Sequence, residues 1–351
     1  VIAFQEHSTK TGPDAEGFDT LLAKVVAYQR AHIPALARFW EGRGFHGGLS
    51  GSATVTPDDV TPVPTEVFRS VRLVSDERLA TRVFRTSGTT AGKRGEAWRL
   101  STGAYDAGAV LQFERYVMRG LERAAFVPLV FDPAQVPDSS LSHMVGDLRR
   151  HFDSATLPYF LEPENLRASA AWQALRTLAE NDDPVLVFGT AFALINLLDA
   201  EDGSITLPAR SVVVETGGFK GRSREVSRGT LYELISGRLG VPRGEILSEY
   251  SMTELSSQLY TVPKGGFIAP PWVRIIIRDP QTLAPLADGD QGLVSFVDLA
   301  NIEVPVAILT SDFGTMADGR LSLNGRAPGA TPRGCSLAVE EVLALANRQR
   351  R

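Results

Sequence analysis

Apolar side chains along the middle of the chain recur in two alternating patterns. Short runs rich in β-branched and aromatic residues predict strands at Arg82–Thr86, Phe126–Phe131, Val185–Phe188, Ser211–Glu215 and Glu245–Ser248. Segments with helical spacing alternate with these runs at Tyr105–Arg123, Ser140–Phe152, Ala191–Leu198 and Arg224–Leu239. This alternation predicts an α/β fold in which a mostly parallel sheet is covered by helices. Ligand sites in such sheets collect at the carboxyl ends of the strands.

The pattern changes after about Phe267. Runs typical of strands follow one another with few helices between them, at Val273–Ile277, Gly292–Val297 and Val306–Thr310, and Asp318-Gly319 is a candidate hairpin turn. We therefore predict three parts: an α/β body at 1–266, a smaller β-rich subdomain at 267–326 and a C-terminal segment at 327–351. The last part has the pattern of one amphipathic helix with a basic tail.

Composition places the chain among ordinary globular proteins, with 43% hydrophobic and 22% charged residues. A formal net charge of -5 argues against a broad nucleic-acid interface, although a local basic patch can still hold a small anion. No uncharged apolar run reaches the roughly 18 to 20 residues that a membrane helix needs. We expect neither nucleic acid as a partner nor a membrane span.

Cys335 is the single cysteine of the 351 residues. It excludes a disulfide within this sequence and gives a thiolate metal cluster nothing to build on. The N-terminal residues show no basic start followed by a long apolar stretch, so we expect no secretory signal. Together these observations favour a reducing, cytoplasmic location.

A run rich in Gly, Ser and Thr follows the first predicted strand. Bound phosphates need backbone N–H groups that approach closely, hydroxyl donors and a cation, which glycine, Ser or Thr, and Lys93 or Arg94 would supply. A polar turn between two strands has a similar composition. Four hydroxyls and three glycines within Thr86–Gly95 favour the phosphate interpretation. The candidate phosphate-binding residues are Thr86, Ser87, Gly88, Thr89, Thr90, Gly92 and Lys93.

The P-loop of nucleoside triphosphatases is a competing interpretation of this run. That motif needs four residues between its glycines and a Ser or Thr after its lysine. Here Gly88 and Gly92 enclose three residues, and Arg94 occupies the hydroxyl position. Both departures count against a P-loop.

Thr86–Gly95 resembles the phosphate loop of the adenylate-forming superfamily, which includes acyl-CoA synthetases, peptide-synthetase adenylation domains and luciferases. Three later segments resemble motifs of that superfamily in the same order. Val214–Phe219 resembles the glycine pair that lies against adenine. Glu249–Glu254 resembles the Tyr-Gly-x-Thr-Glu signature, with Ser251 in place of the glycine. Thr310–Gly314 resembles the segment whose aspartate holds the ribose.

Within the superfamily, Glu215–Ser223 and Arg333–Leu337 are most similar to the acyl-protein synthetase (LuxE) family. Members of that family activate a fatty acid as its adenylate. They then move the acyl group to a cysteine near their own C-terminus, and from there to a reductase partner. The resemblance therefore implies a ligase that uses ATP and Mg²⁺, and it makes Cys335 a candidate acyl acceptor, whose thiolate the neighbouring Arg333 would favour.

The resemblance also assigns roles to single residues. Glu254 would bind Mg²⁺, for which a carboxylate is a suitable ligand, Thr253 would contact the α-phosphate, and Asp312 would accept hydrogen bonds from the ribose hydroxyls. Lys93, Thr253, Glu254 and Cys335 are the candidate catalytic residues. The remaining candidate nucleotide-binding residues are Gly217, Gly218, Phe219, Tyr250, Ser251, Met252 and Arg326.

The predicted function is ATP-dependent activation of a carboxylic acid as an acyl adenylate, with release of pyrophosphate and transfer of the acyl group to a thiol. That thiol is Cys335, a partner protein or a carrier. Two alternatives remain open: an amide-forming synthetase with an amine acceptor, and an inactive nucleotide-binding subunit of a larger assembly.

Most of the superfamily continues beyond this region with a mobile lid domain that brings a lysine to the carboxylate. Because the sequence ends at Arg351, we expect no separate lid domain here. A local cation or a partner would then replace the lid lysine. Lys220, Arg222 and Arg224 are candidates, and a solvated basic turn explains them equally well.

Overall fold

The computed structural model describes residues 1–48, 55–87, 93–162, 165–217, 226–263 and 265–326. Its α-helices are α1 (Ile2–Thr11), α2 (Ala15–His32), α3 (Pro34–Gly42), α4 (Gly103–Phe113), α5 (Ser140–Phe152), α6 (Ala168–Ala179), α7 (Ala191–Asp199) and α8 (Arg228–Leu239). Its strands are β1 (Val63–Pro64), β2 (Arg82–Arg85), β3 (Glu96–Arg99), β4 (Ala125–Leu129), β5 (Val185–Thr190), β6 (Val212–Thr216), β7 (Ile246–Tyr250), β8 (Leu259–Thr261), β9 (Phe267–Ile268), β10 (Val273–Arg278), β11 (Gln291–Asp298), β12 (Ala307–Ala317) and β13 (Arg320–Arg326).

The described residues fall into two units. The first unit comprises those of Val1–Leu111, Met252–Gln258 and Gly265–Arg351, and the second comprises those of Gln112–Ser251 and Leu259–Lys264. The three-part division expected from the sequence stays a prediction.

A parallel sheet with the strand order β8-β7-β6-β5-β4 forms the second unit. Strands β4 to β7 run parallel, and β8 pairs antiparallel with β7. The α/β class predicted from the alternating pattern is confirmed. The predicted helix over Tyr105–Arg123 is shorter in the structure: α4 ends at Phe113, and a single π-helical turn follows over Glu114–Met118.

Aromatic and aliphatic side chains fill the core of the second unit. Helix α6 packs against β4, and α7 packs against β5 and β6. Trp172 of α6 is fully buried, and its indole N–H donates to the carbonyl of Leu197 at 2.8 Å. The ring of Phe113 lies 5.9 Å from that of Phe126 and 6.5 Å from that of Phe188. These contacts hold the parallel strands that carry the predicted adenine segment.

The first unit contains an antiparallel sheet with the order β10-β11-β12-β13-β9, and β1 pairs in parallel with β12. The predicted turn Asp318-Gly319 joins β12 to β13. Its residues have φ angles of 50° and 70°, which a two-residue hairpin of the tightest kind requires at both positions. The β-rich character predicted for this part of the chain is confirmed.

One strand prediction needs a correction. The run Arg82–Thr86 was expected among the strands of the parallel sheet, but β2 pairs antiparallel with β3 in a separate two-stranded sheet of the first unit. Helices α1, α2 and α3, which the apolar pattern did not predict, precede it. Asp14 caps α2, since its Oδ1 accepts from Gly17 N at 2.9 Å, and Pro34 begins α3 at a position that needs no N–H donor.

Candidate functional site

The run Thr86–Gly95 connects the two strands of the β2–β3 hairpin. A position between two strands is also what the alternative interpretation, a polar turn, predicts. The chain closes at the base of the loop, where Thr86 N donates to Gly95 O at 3.0 Å and Gly95 N donates to Thr86 Oγ1 at 2.9 Å. Ser87 and Lys93 are exposed at the edges of the loop. Gly88, Thr89, Thr90 and Gly92 lie outside the described residues.

Arg94, the second cation of the run, turns toward the base of the hairpin. Its Nε donates to Thr86 O at 2.6 Å, and one of its terminal nitrogens donates to Arg85 O at 3.1 Å. These bonds fix the strand that leaves the loop. Of the two cations that the sequence offered for phosphate, Lys93 is the more exposed.

The turn Met252–Glu254 belongs to the first unit, and buried donors hold its backbone. Leu255 N donates to Met252 O at 3.1 Å, which closes the turn. Arg99 of β3 donates to the carbonyl oxygens of Leu255 at 3.1 Å and Thr253 at 3.4 Å. Asn301 Nδ2 donates to Glu254 O at 3.0 Å. Sequence reasoning assigned no role to Arg99 or Asn301.

A second group of buried polar side chains supports the residues that follow this turn. Asp298 accepts from Ser256 N at 3.0 Å and from Ser257 Oγ at 2.9 Å. Trp272 Nε1 also donates to Ser257 Oγ at 2.9 Å. Because buried polar groups are costly when unpaired, this satisfied network favours one conformation of the turn.

Glu254 is a buried carboxyl, with 5% of its surface exposed. Burial raises its pKa to about 7, and the nearby Glu66 carboxylate raises it as well, whereas a backbone hydrogen bond, Arg69 and Arg326 lower it. A buried carboxyl near a second carboxylate is an environment that a cation stabilises. Within the described residues, His, Cys, Asp and Glu do not gather into groups of three or more that hold a metal.

Asp312 and Arg326 lie opposite each other on β12 and β13. Arg326 Nε donates to Asp312 Oδ1 at 2.8 Å, and the side chain of Asp312 is 12% exposed against 73% for Arg326. The strand pairing shifts between Phe313 and Gly314, which makes a β-bulge beside the aspartate. Arg326 also influences the pKa of Glu254. The predicted ribose and metal carboxylates therefore share a neighbouring cation.

In the second unit, strand β6 ends at Thr216, and Gly217, which follows it, has a φ of 66°. A Cβ at this position would meet no atom of the described residues within 4 Å. Tyr250 ends β7, and Ser251 follows it, so both lie at the carboxyl end of a strand parallel to β6. Gly218, Phe219, Lys220, Arg222, Arg224 and Cys335 lie outside the described residues. The roles predicted for the site residues stay predictions.

A pair of buried carboxyl groups at the ends of β6 and β7 was missed by the sequence patterns. Glu215 and Glu249 are each 2% exposed. Ser248 Oγ donates to Glu215 Oε2 at 2.9 Å, and Thr216 Oγ1 donates to Glu249 Oε2. Burial raises the pKa of Glu249 to about 7, the hydroxyls of Ser251 and Thr216 lower it, and Glu215 raises it. Burial also raises the pKa of Glu215, which Arg228 opposes.

This environment predicts a pH-dependent contribution of Glu249 to stability. Because its pKa in the folded chain lies above its unfolded value, the fold is favoured while Glu249 is protonated, and this contribution is lost as pH rises from about 5 through 7. Between about pH 5 and 8, the free energy of unfolding of the wild type should fall by up to about 3 kcal/mol more than that of Glu249→Gln. Urea denaturation across this range measures the difference.

The exposed carboxyl of Glu233 on α8 gives the matched control. Glu233→Gln should keep the wild-type pH dependence. Glu215 remains in the Glu249→Gln variant and leaves a residual slope. Identical slopes in the wild type and Glu249→Gln would contradict the buried, protonated state of Glu249.

The family model described as "Acyl-protein synthetase, LuxE" matches residues 52–344. The chain belongs to the LuxE acyl-protein synthetase family. The membership predicted from the motifs is confirmed, and the match includes Thr86–Gly95, Glu254, Asp312 and Cys335. Among the described residues of this LuxE-family chain, the helices all fall short of the length and apolar character needed to cross a bilayer.

Two curated relatives are long-chain-fatty-acid–luciferin-component ligases. The protein from Aliivibrio fischeri is 25% identical over 142 residues, which are 37% of this chain and 38% of the relative. The protein from Vibrio harveyi is 26% identical over 163 residues, 42% of each chain. The matched regions thus span about two fifths of these relatives.

The fold is similar to solved structures of a ligase. An open conformation of 2-hydroxyisobutyryl-CoA ligase in complex with 2-HIB-AMP and CoA superimposes with a TM-score of 0.67 at 16% identity, over 90% of this chain and 70% of that one. A structure of the same ligase in the postadenylation state with 2-HIB-AMP gives a TM-score of 0.65 at 17% identity, over 89% and 67%. The predicted fold of the adenylate-forming ligases is confirmed.

Proposed function

We propose that this chain activates a carboxylic acid with ATP and passes the acyl group to a thiol. The membership in the LuxE family supports this proposal. The observation that carries it is the arrangement in the first unit, where the exposed Lys93, the buried Glu254 and the Asp312–Arg326 pair lie on elements of one folded body. A cation, a metal-binding carboxyl and an aspartate are the groups that a magnesium nucleotide requires.

The described residues fit the nucleotide and its metal. Asp312 offers carboxylate oxygens to ribose hydroxyls. Glu254 offers a carboxyl whose pKa is raised by burial, and a bound divalent cation would lower that pKa and favour the carboxylate. In the second unit, the described residues leave the backbone at Gly217 uncovered, as a flat ring packed against it would require. Tyr250 and Ser251 lie at the same edge of the parallel sheet as Gly217.

The proposed first step joins the acid to AMP. A carboxylate oxygen attacks the α-phosphorus, the bond from that phosphorus to the bridging oxygen breaks, and pyrophosphate leaves with the electron pair. Negative charge develops on the phosphoryl oxygens, so positioning and electrostatic stabilisation carry the step. Lys93 and Thr253 would contact those oxygens, and Mg²⁺, when bound at Glu254, would supply further positive charge.

The proposed second step moves the acyl group to sulfur. A thiolate attacks the acyl carbon of the adenylate, a thioester bond forms, and AMP leaves. Cys335 is the proposed first acceptor, and an acyl-accepting protein or carrier would follow it. The names of the two bacterial relatives support a long-chain fatty acid as the substrate. Mg²⁺ as the metal ion and a cytoplasmic location are further parts of the proposal.

Intact-mass analysis tests both steps together. After incubation with a fatty acid, ATP and Mg²⁺, the protein should gain the mass of the acid minus one water, and hydroxylamine should remove this adduct. Cys335→Ser should remain unmodified while AMP is still released. A wild-type protein that consumes ATP to AMP and stays unmodified would rule out Cys335 as the acceptor.

The same samples distinguish the alternatives. Full product formation by Cys335→Ser with an added amine would support the amide-forming synthetase. ATP binding without AMP release, for every acid tested, would support an inactive nucleotide-binding subunit. Either result would replace the proposed function.

A further inference from the structure

We propose that Arg99 is a positioning residue that fixes the backbone from which the Glu254 side chain extends. The inference rests on the proposed function. Arg99 ends strand β3, which begins directly after Gly95 at the base of the loop. It lies in the first unit, as do Glu254 and the described residues at the base of the loop. No sequence motif predicts this arginine.

The guanidinium of Arg99 has little freedom to move. The residue is 1% exposed, and its guanidinium carbon lies 5.8 Å from the ring centre of Phe84 and 5.6 Å from that of Tyr105. Burial lowers the pKa of Arg99, while Tyr105, Asp298 and Glu254 are among the groups that raise it. Since a guanidinium stays protonated in proteins, Arg99 is a fixed, buried cation.

Its hydrogen bonds lie on both sides of Glu254. Arg99 donates to Leu255 O at 3.1 Å and Thr253 O at 3.4 Å, and Asn301 donates to Glu254 O at 3.0 Å. Three consecutive carbonyl groups are therefore held by buried donors. Fixing the peptide groups before and after a residue fixes its φ and ψ, and hence the direction in which its side chain leaves the backbone.

The donors are themselves anchored. Arg99 donates to Ser256 Oγ at 2.5 Å, and Ser256 Oγ donates to Asn301 Oδ1 at 2.6 Å. Gln29 Nε2 of helix α2 donates to Asn301 O at 2.8 Å. Arg99 is thus part of one continuous network that reaches from the hairpin to α2. A lysine carries one ammonium group and cannot match the planar fork that reaches two carbonyls and a hydroxyl.

A double-mutant cycle between Arg99→Lys and Glu254→Gln tests the proposal. Arg278→Lys is the matched control, because Arg278 is a buried arginine of the same unit that donates to Ser295 Oγ at 3.0 Å and Leu283 O at 3.1 Å. In ATP–pyrophosphate exchange with Mg²⁺ present, Arg99→Lys should lower kcat about 10- to 100-fold. Arg278→Lys should lose thermal stability and keep its kcat.

If Arg99 acts through Glu254, the double variant should be no slower than Glu254→Gln alone. If the fold-losses of kcat in the two single variants multiply in the double variant, the proposal is overturned. An equal loss of kcat in Arg278→Lys would also overturn it.

A binding measurement that needs no turnover accompanies the cycle. Arg99→Lys should weaken ATP binding with Mg²⁺ present and leave it unchanged in EDTA, and equal weakening in both conditions would also overturn the proposal. Wild-type binding without exchange would reject the proposed function, and the binding comparison would still decide the role of Arg99.

Discussion

Replacing Glu254 by glutamine is expected to lower the rate of ATP–pyrophosphate exchange by a factor of about 10² to 10³, similar to the loss of one preorganised electrostatic group in other enzymes. Glutamine keeps the shape of the side chain and removes the charge that would bind Mg²⁺. Burial raises the pKa of Glu254 to about 7, so the protonated, uncharged form is already well populated near neutral pH. The folded state therefore should not lose stability when the carboxyl becomes an amide.

Two further measurements sharpen this prediction. The Mg²⁺ concentration that gives half-maximal exchange should rise in Glu254→Gln, because the variant has lost a metal ligand. Glu77→Gln removes an exposed carboxyl of the same unit and should keep the wild-type rate. Wild-type exchange by Glu254→Gln would remove the metal role from this residue.

Replacing Asp312 by alanine is expected to lower kcat/KM for ATP by a factor of about 10² to 10⁴. Hydrogen bonds from ribose hydroxyls to a carboxylate are charge-assisted, and each contributes about 1.5 to 3 kcal/mol. The variant leaves Arg326 without its carboxylate partner, but that side chain is 73% exposed and remains solvated. Because the cation that remains is solvated, the loss of this ion pair costs little stability, and the effect should appear in the handling of ATP.

The choice of nucleotide tests the reason for this loss. With 2′,3′-dideoxy-ATP, the wild type should lose about as much kcat/KM as Asp312→Ala loses with ATP. The variant itself should not discriminate between the two nucleotides. Discrimination that survives in Asp312→Ala would show that another group binds the ribose hydroxyls.

The order of short motifs was enough to predict the candidate site, since each motif keeps its chemistry within a few consecutive residues. Glu254 and Asp312 became candidates in this way. Arg99 was not, because it is a single arginine in a strand and its partner Ser256 lies 157 positions away. Its importance depends on the contacts of the folded chain, which no local pattern contains.

The fold shows the same division between local and non-local information. Alternating runs predicted β4 to β7 and helices α5, α7 and α8, where the apolar periodicity is clear. The predicted place of β2 in the parallel sheet was wrong because a short apolar run is compatible with both a parallel sheet and a hairpin. Its partner β3 was missed because the inward-facing Arg99 interrupts the apolar alternation expected of a strand. The burial of Glu249 likewise follows from its pairing with β6.

ATP–pyrophosphate exchange with a panel of carboxylic acids tests the central claim most directly. Labelled pyrophosphate should enter ATP only when an acid is present, fastest with a long-chain fatty acid, and Glu254→Gln should suppress the signal under the same conditions. Such exchange requires reversible formation of an acyl adenylate and needs no acyl acceptor. Tight ATP binding without exchange for every acid would contradict the proposed adenylation.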